Sequence, residues 1–405
     1  MKRLLVLLAA ALPLFGAGPT WIEYGPDGPI ARAIVVNGGE CPSIIIDGAA
    51  RRMQTRALPG PGYAVTSCEM LLPREVRSAE IDGRTLPVHK LGRTAKIALV
   101  GDTGCRLKAG NPPSIQNCSD PQAWPFASVA KSIAAWDPDL VLHVGDYYYR
   151  EATCSGTTCK PAPYTWDNWN ADFFTPAAPL LGNAPWVMVR GNHESCARAG
   201  EGWFRFLDPR RYAWENAKTC TSNTDFTPPY ATRIGNMSFI VLDSSALSDN
   251  DPGQATMVAQ WLQLYAKEQP GAWLMLHHPF WGTSYGDLDT PTLWSAWSQA
   301  GIATNPIDFI LTGHIHLLEL MSFKDGRPPH AVVGNGGTAL DPKANDPTGQ
   351  QFGTSGRTAS MFMQDDGFGF IAATPSASGW TFDVRDQNGK TKTKCAVTRA
   401  SIVCD

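Results

Sequence analysis

Long hydrophobic runs are missing from this chain of 405 residues: the apolar stretch from Leu4 to Phe15 is far shorter than the roughly 20 residues that cross a bilayer as a helix. No later segment supplies a longer one, so a helical membrane span is excluded. An excess of one charge is missing too. The chain sets 34 basic against 37 acidic side chains, for a net charge of −3, which argues against nonspecific nucleic-acid binding. Charged residues are few at 18% against 43% hydrophobic, so the chain is neither disordered nor fibrous. Cys-x2-Cys pairs are absent, which removes a zinc-ribbon reading. Histidine is scarce, with eight in all, so where they stand carries information. Glycine and proline are plentiful at 38 and 32, which implies long loops between core elements, and loops commonly carry chemistry.

Lys2 and Arg3 precede the Leu4–Phe15 run, and the small residues Gly16, Ala17 and Gly18 follow it. This pattern predicts a secretory signal over residues 1–18 and a mature protein that is secreted or periplasmic, with no membrane attachment once the signal is removed. Ten cysteines, an even number in an exported chain, predict five disulfides. Proximity favours Cys41 with Cys68, Cys105 with Cys118, Cys154 with Cys159, Cys196 with Cys220, and Cys395 with Cys404.

Residues 19–93 alternate short β-prone runs with Gly, Pro and Asp turns, which predicts a small β domain whose lone His89 serves packing or partner contact. Residues 94–345 change to hydrophobic strands that end in polar residues and are followed by helical stretches, an α/β pattern. Strands are expected at Lys96–Val100, Leu140–Val144, Trp186–Val189, Ser238–Leu242, Trp273–Leu276 and Phe309–Leu311. Helices are expected at Trp124–Trp136, Ala255–Lys267 and Thr292–Ala300. Residues 346–405 return to turn-rich β patterns that complete the core.

Five polar clusters follow these strands in order: Gly101-Asp102-Thr103-Gly104, Gly145-Asp146-Tyr147-Tyr148-Tyr149, Gly191-Asn192-His193-Glu194, His277-His278-Pro279 and Gly313-His314-Ile315-His316. Taken singly each is weak, since it also reads as turn, packing or surface residues, and His314-Ile315-His316 is the sharper of them. Together they hold five of the eight histidines, and groups at the carboxyl ends of strands in an open α/β sheet converge on one crevice. His314 and His316, two apart on an extended segment, point the same way. Asp, Asn, His and an ionised Tyr, without thiolates, suit hard or borderline cations, which points to a two-metal site.

Other signals are weaker. Gly282-Thr283-Ser284-Tyr285-Gly286 matches a serine-hydrolase elbow, yet Asp287 to Pro291 deny it the helix it needs. Gly334 to Ala339 looks like a dinucleotide loop, but Asp341-Pro342 block the following helix, leaving a turn. His143 reads as a core residue, His330 as a strand-edge residue and Asp243 as a structural hydrogen-bonding group. His278 either lines the pocket or sits in a turn, and Glu194 either orients His193 or lies at the surface. Trp166, Trp169, Trp203 and Trp281 either stack on a leaving group or pack in the core.

The five blocks GDTG, GDYYY, GNHE, LMLH and GHIH resemble those of the calcineurin-like metallophosphoesterases, and specifically of the purple acid phosphatases, over Ile97 to His316. The resemblance implies a sandwich of two mixed β-sheets flanked by helices. It also implies that Asp102, Asp146, Tyr149 and His316 bind a first metal, that Asp146 bridges to a second, and that Asn192, His277 and His314 complete the second site. His193 would stand beyond the ligands, facing substrate. Related diesterases begin with Asp-x-His, where this chain has Gly104, so Tyr149 replaces that histidine. A phenol with a pKa of about 10 ionises at ordinary pH only beside a strong positive charge. Fe(III) with a divalent partner (Zn, Fe or Mn) is therefore expected, and a coloured protein. The implied reaction is hydrolysis of small phosphate monoesters at acidic pH by a metal-activated hydroxide, with His193 as proton donor. The alternatives are a phosphodiesterase or nucleotide pyrophosphatase with two divalent metals, and a noncatalytic metal-binding protein.

Overall fold

The computed structural model describes residues 17–89, 96–211, 225–283, 291–302, 306–349, 351–352 and 357–405. Two mixed β-sheets face one another. At the centre of the first, Ile97–Val100, Leu140–His143 and Trp186–Met188 run parallel, and Gly369–Pro375 pairs antiparallel with Ile97–Val100. At the centre of the second, Met237–Val241, Ala272–Met275, Ile307–Thr312 and His330–Val333 are parallel neighbours. All six expected strands are present within a few residues of their expected bounds. The three helices form at Phe126–Trp136, Pro252–Glu268 and Pro291–Ala300. Asp251 caps the second of these, its side chain accepting the amides of Gly253 and Gln254.

Strand alternation sorts the residues into layers. Ile97, Leu99, Leu140, Leu142 and Val187 turn inward against Phe239, Trp273, Met275, Phe309 and Leu311 of the other sheet. Ala98, Val100, Val141 and Trp186 turn outward and are covered by Phe126, Val129 and Ile133 of the first helix. On the opposite outer face Ile240, Leu274 and Ile310 meet the two later helices through Val258, Leu262, Leu293 and Ala296. Each fully buried Leu, Ile, Val or Phe contributes about 1.5–3 kcal/mol relative to exposure, so the layers hold the strand ends in place.

The N-terminal β region is continuous with this core. Ala17–Gly25 pairs parallel with Trp186–Met188, and Gly28–Val36 and Val65–Leu71 extend the same eleven-stranded sheet. Ser43–Ile46, Ala49–Arg52, Ala79–Ile81 and Arg84–Thr85 form a separate four-stranded sheet. A buried ion-pair network closes this side: Arg32 pairs with Glu23 and Glu69, and Arg56 reaches the carbonyls of Phe204 and Asp208. At the other end the strands Trp380–Asp386, Thr391–Val397 and Ile402–Cys404 complete the first sheet.

Four expected disulfides form, Cys41–Cys68, Cys105–Cys118, Cys154–Cys159 and Cys395–Cys404. Cys196 is also disulfide-bonded, while its expected partner Cys220 lies outside the described residues, as do most of the expected signal segment and Ser284. No helix among the described residues is long and apolar enough to cross a membrane. His330 is a correction: it is buried on a strand flanked by neighbours on both sides, bonded to Thr312, because the chain inserts Leu318–Phe323 outside it. His143 is a core residue as expected, stacked on Tyr147. Asp243 is structural, accepting from Arg190, Thr227 and Ser245.

Candidate metal centre

All five clusters lie at the carboxyl ends of the parallel strands, and the structure brings every expected site residue together. Backbone bonds lock the loops to each other: Asp102 N–H donates to Gly145 O, Thr103 N–H to Asp146 O, and Gly313 N–H to His277 O. Asp102, Asp146 and His314 hold left-handed backbone at φ 54°, 58° and 73°. Non-glycine residues rarely adopt that conformation, and it concentrates at functional sites.

The Tyr149 hydroxyl lies 2.7 Å from Asp146 Oδ2, 2.9 Å from His316 Nε2 and 3.2 Å from Asp102 Oδ1. Its ring occupies space that a side chain at position 104 would take. A Cβ on Gly104 would fall 2.8 Å from the Tyr149 amide nitrogen and 3.0 Å from its ring, so glycine here and tyrosine at 149 belong together. Burial pushes the Tyr149 phenol well above its ordinary pKa, and the Asp146 and Asp102 carboxylates push it further. Asp102 is itself raised, chiefly by burial. Burial also works against an ionised Asp146, but the facing His277 and His193 outweigh it and hold that carboxyl well below its usual range.

A second group gathers beside the first. The Asn192 side-chain oxygen is 2.9 Å from His277 Nε2, 3.1 Å from His314 Nδ1 and 3.2 Å from Asp146 Oδ2. His277 Nδ1 donates to Val144 O at 2.8 Å, which turns Nε2 toward this cluster. These atoms converge within hydrogen-bond distance of one another; a cation among them, or a rotated Asn192 amide, satisfies them. His316 is oriented in the same way, its Nδ1 3.0 Å from Ala339 O and its Nε2 turned to Tyr149. Asp102, Asp146 and His277 present ligand atoms that all lie within 4.8 Å of one another. Oxygen and imidazole donors without thiolate are the set that iron, zinc and manganese accept, so the residues fit two such ions.

The His193 ring lies against the Tyr149 ring, tilted by 39° with centroids 3.8 Å apart, and has Nδ1 3.2 Å from Glu151 and Nε2 3.9 Å from Asp146. Glu194 neither orients it nor reaches the surface. That carboxylate is fully buried and accepts the backbone amides of Asp146, Tyr147, Tyr148 and Gly191 at 3.0–3.1 Å. It therefore shapes the Asp146 loop. Each unsatisfied buried donor costs about 1–3 kcal/mol, so Glu194→Ala is expected to destabilise the fold by at least about 3 kcal/mol, measured by denaturant unfolding.

Several supports escaped sequence reasoning. Asp172, buried on the helix after Trp169, accepts the amides of Tyr149, Arg150 and Cys105 and pairs with Arg150. The Gly334–Ala339 segment, expected as a mere turn, packs beneath the first loop, with Gly336 N–H on Gly101 O and Thr338 N–H on Asp102 O. The run of glycines there was its signal: a Cβ on Gly336 would meet Gly101 O at 2.4 Å. Arg106 lies 3.3 Å from His316 Nδ1, and Arg198 beside His193. His278 is buried, its ring tilted against that of His314 with centroids 4.2 Å apart. Trp166, Trp169, Trp203 and Trp281 are all buried core residues and so are not available to stack on a leaving group.

Comparison with known proteins agrees with this geometry. Residues 95–318, more than half of the chain, match the calcineurin-like phosphoesterase family. No functionally curated protein matches the chain in sequence. Among solved structures, the purple acid phosphatase PPD1 from yellow lupin (Lupinus luteus) seeds is similar at a TM-score of 0.57 and 17% identity, over 93% of this chain and 74% of that one. PhoD is similar at a TM-score of 0.58 and 14% identity, over 97% and 93%. At these identities the likeness establishes the fold alone, whereas the family match spans the strands and loops that carry all the clustered residues: the chain belongs to the calcineurin-like phosphoesterases.

Proposed function

We propose that this protein is an exported, dinuclear-metal phosphatase of purple acid phosphatase type that hydrolyses small phosphate monoesters at acidic pH. The observation that carries the reading is the Tyr149 hydroxyl, set between Asp102, Asp146 and His316 in space that Gly104 leaves open. Asp102, Asp146, Tyr149 and His316 would hold Fe(III), and Asp146, Asn192, His277 and His314 a divalent partner. When bound, such ions supply a nucleophile at low pH and neutralise charge on the phosphoryl group.

The chain's own residues do the rest. His193, buried at the rim with its Nδ1 3.2 Å from Glu151, is the residue that would give a proton to the departing oxygen. Val144 and Ala339 carbonyls fix the rings of His277 and His316 so that their Nε2 atoms face inward. Glu194 and Asp172 keep the Asp146–Tyr149 loop in its conformation. Four disulfides support export, since such bonds persist in oxidising compartments.

Rates on a simple aryl phosphate monoester and on its diester, measured from acidic to alkaline pH, test the assignment. Faster monoester turnover at acidic pH is expected. Preferential diester turnover would replace the reading with a phosphodiesterase, and no turnover with both metals bound would leave a noncatalytic protein. Tyr149→Phe is expected to abolish visible absorption while the divalent ion stays; an unchanged spectrum would exclude Tyr149 as an iron ligand.

A further inference from the structure

Arg198 stands in the turn that joins Asn192–Glu194 to the helix Gly200–Phe206. Its Nε and Nη2 grip Glu151 Oε1 and Oε2 at 2.6 and 2.8 Å, a two-point contact that fixes the guanidinium plane. The other edge faces the centre. Nη2 lies 2.7 Å from His193 Nδ1 and 2.8 Å from Nε2, and Nη1 donates to the Asn192 backbone carbonyl at 3.3 Å.

When the Asn192 oxygen points to His277 and His314, its NH2 group is turned to Arg198 Nη1 at 2.9 Å. Two donors then face each other with no acceptor between them. Rotating the amide would supply the acceptor but withdraw the oxygen from the candidate metal cluster. A loaded centre therefore leaves two donors in one corner, Arg198 Nη1 and Asn192 Nδ2. An anionic oxygen placed there satisfies both, and Arg198, 23% exposed at its side chain, can be reached from solvent.

We infer that Arg198 binds a terminal phosphoryl oxygen of the substrate, with Glu151 as its positioning residue, and that this contact favours monoesters. The selectivity rests on the monoesterase reading above; phosphate binding does not. A monoester keeps three terminal oxygens, so one remains for Arg198 after two face the metals, whereas a diester has esterified that third oxygen.

The test uses metal-loaded wild-type protein, Arg198→Ala, and Arg198→Met, which keeps an apolar stem should the alanine variant fail to fold. Calorimetric titration with inorganic phosphate is expected to show affinity lowered by roughly tenfold or more in both variants, the effect of losing a charge-assisted hydrogen bond. KM for an aryl monoester should rise by a similar factor, kcat should fall less, and diester kinetics should change little. Glu151→Gln should move phosphate affinity in the same direction by a smaller factor. Wild-type phosphate affinity in a folded variant that retains both metals would overturn the binding role, and equal losses on monoester and diester would overturn the selectivity. Should the wild type prefer diesters, the monoesterase reading fails, while the phosphate titration still decides whether Arg198 binds phosphate.

Discussion

Asp146→Ala is expected to lower kcat/KM for a phosphate monoester by at least about 10³-fold and to leave the protein short of two metal ions. The expectation follows from how many demands converge on one carboxylate. Oδ2 is 2.7 Å from the Tyr149 hydroxyl and 3.2 Å from both His277 Nε2 and the Asn192 amide oxygen, so it belongs to both donor groups. Oδ1 accepts the His193 amide at 2.9 Å. A carboxylate that bridged two ions would have no substitute among its neighbours, and the charge stabilisation it would underwrite amounts to several kcal/mol, at about 1.4 kcal/mol per tenfold in rate. Asp146→Asn keeps the acceptor for His193 N–H but not the charge, and should lose metal as well. Full metal content in either variant, measured element by element, would show that Asp146 does not bridge.

His193→Ala should behave differently. A fall in kcat of about 10²–10⁴, the usual contribution of a positioned general acid, is expected with both metals retained and the fold intact. His193 is near the centre without belonging to it: its Nε2 is 3.9 Å from Asp146 Oδ2, while its ring rests on Tyr149 and its Nδ1 on Glu151. Truncation would remove the proposed proton donor and leave the Asp102, Asp146, Tyr149 and His316 set untouched. Single-turnover kinetics with metal analysis check this. Loss of one ion would make His193 a ligand instead, and an unchanged kcat would remove it from the chemistry.

Much of this was legible in the sequence because it is written in local pattern. Apolar runs ending in Asp102, Asp146, Asn192, His277 and His314 announce strands with polar ends, and parallel strands deliver those ends to one edge. Cysteines near in sequence pair as expected, since short loops close at low entropic cost. What escaped is set by contacts between distant segments. Glu194 looked like a partner for its neighbour His193, yet it bonds amides 46 to 48 residues away, a choice no local period reveals. The Glu151–Arg198 pair spans 47 residues, and Asp172 reaches back to Tyr149 from a helix whose sequence shows only aromatic packing. Nor did the alternation of Ala17–Gly25 disclose that this strand would lie beside Trp186–Met188, because strand order is a property of the whole sheet. Trp166, Trp169 and Trp203 proved to be core because the helix Trp166–Trp169 and the helix Gly200–Phe206 close over the outer face of the first sheet, and Trp281 because it packs against Phe280, Trp297 and Phe323 on the far side of the second.

Whether Tyr149 is a ligand of trivalent iron is read most directly from metal content by element in the purified, untreated mature protein, taken with its visible spectrum. Iron plus one divalent metal per chain, with an absorption band that Tyr149→Phe removes, is the predicted result. Two divalent metals with no iron and no colour in the active protein would contradict it.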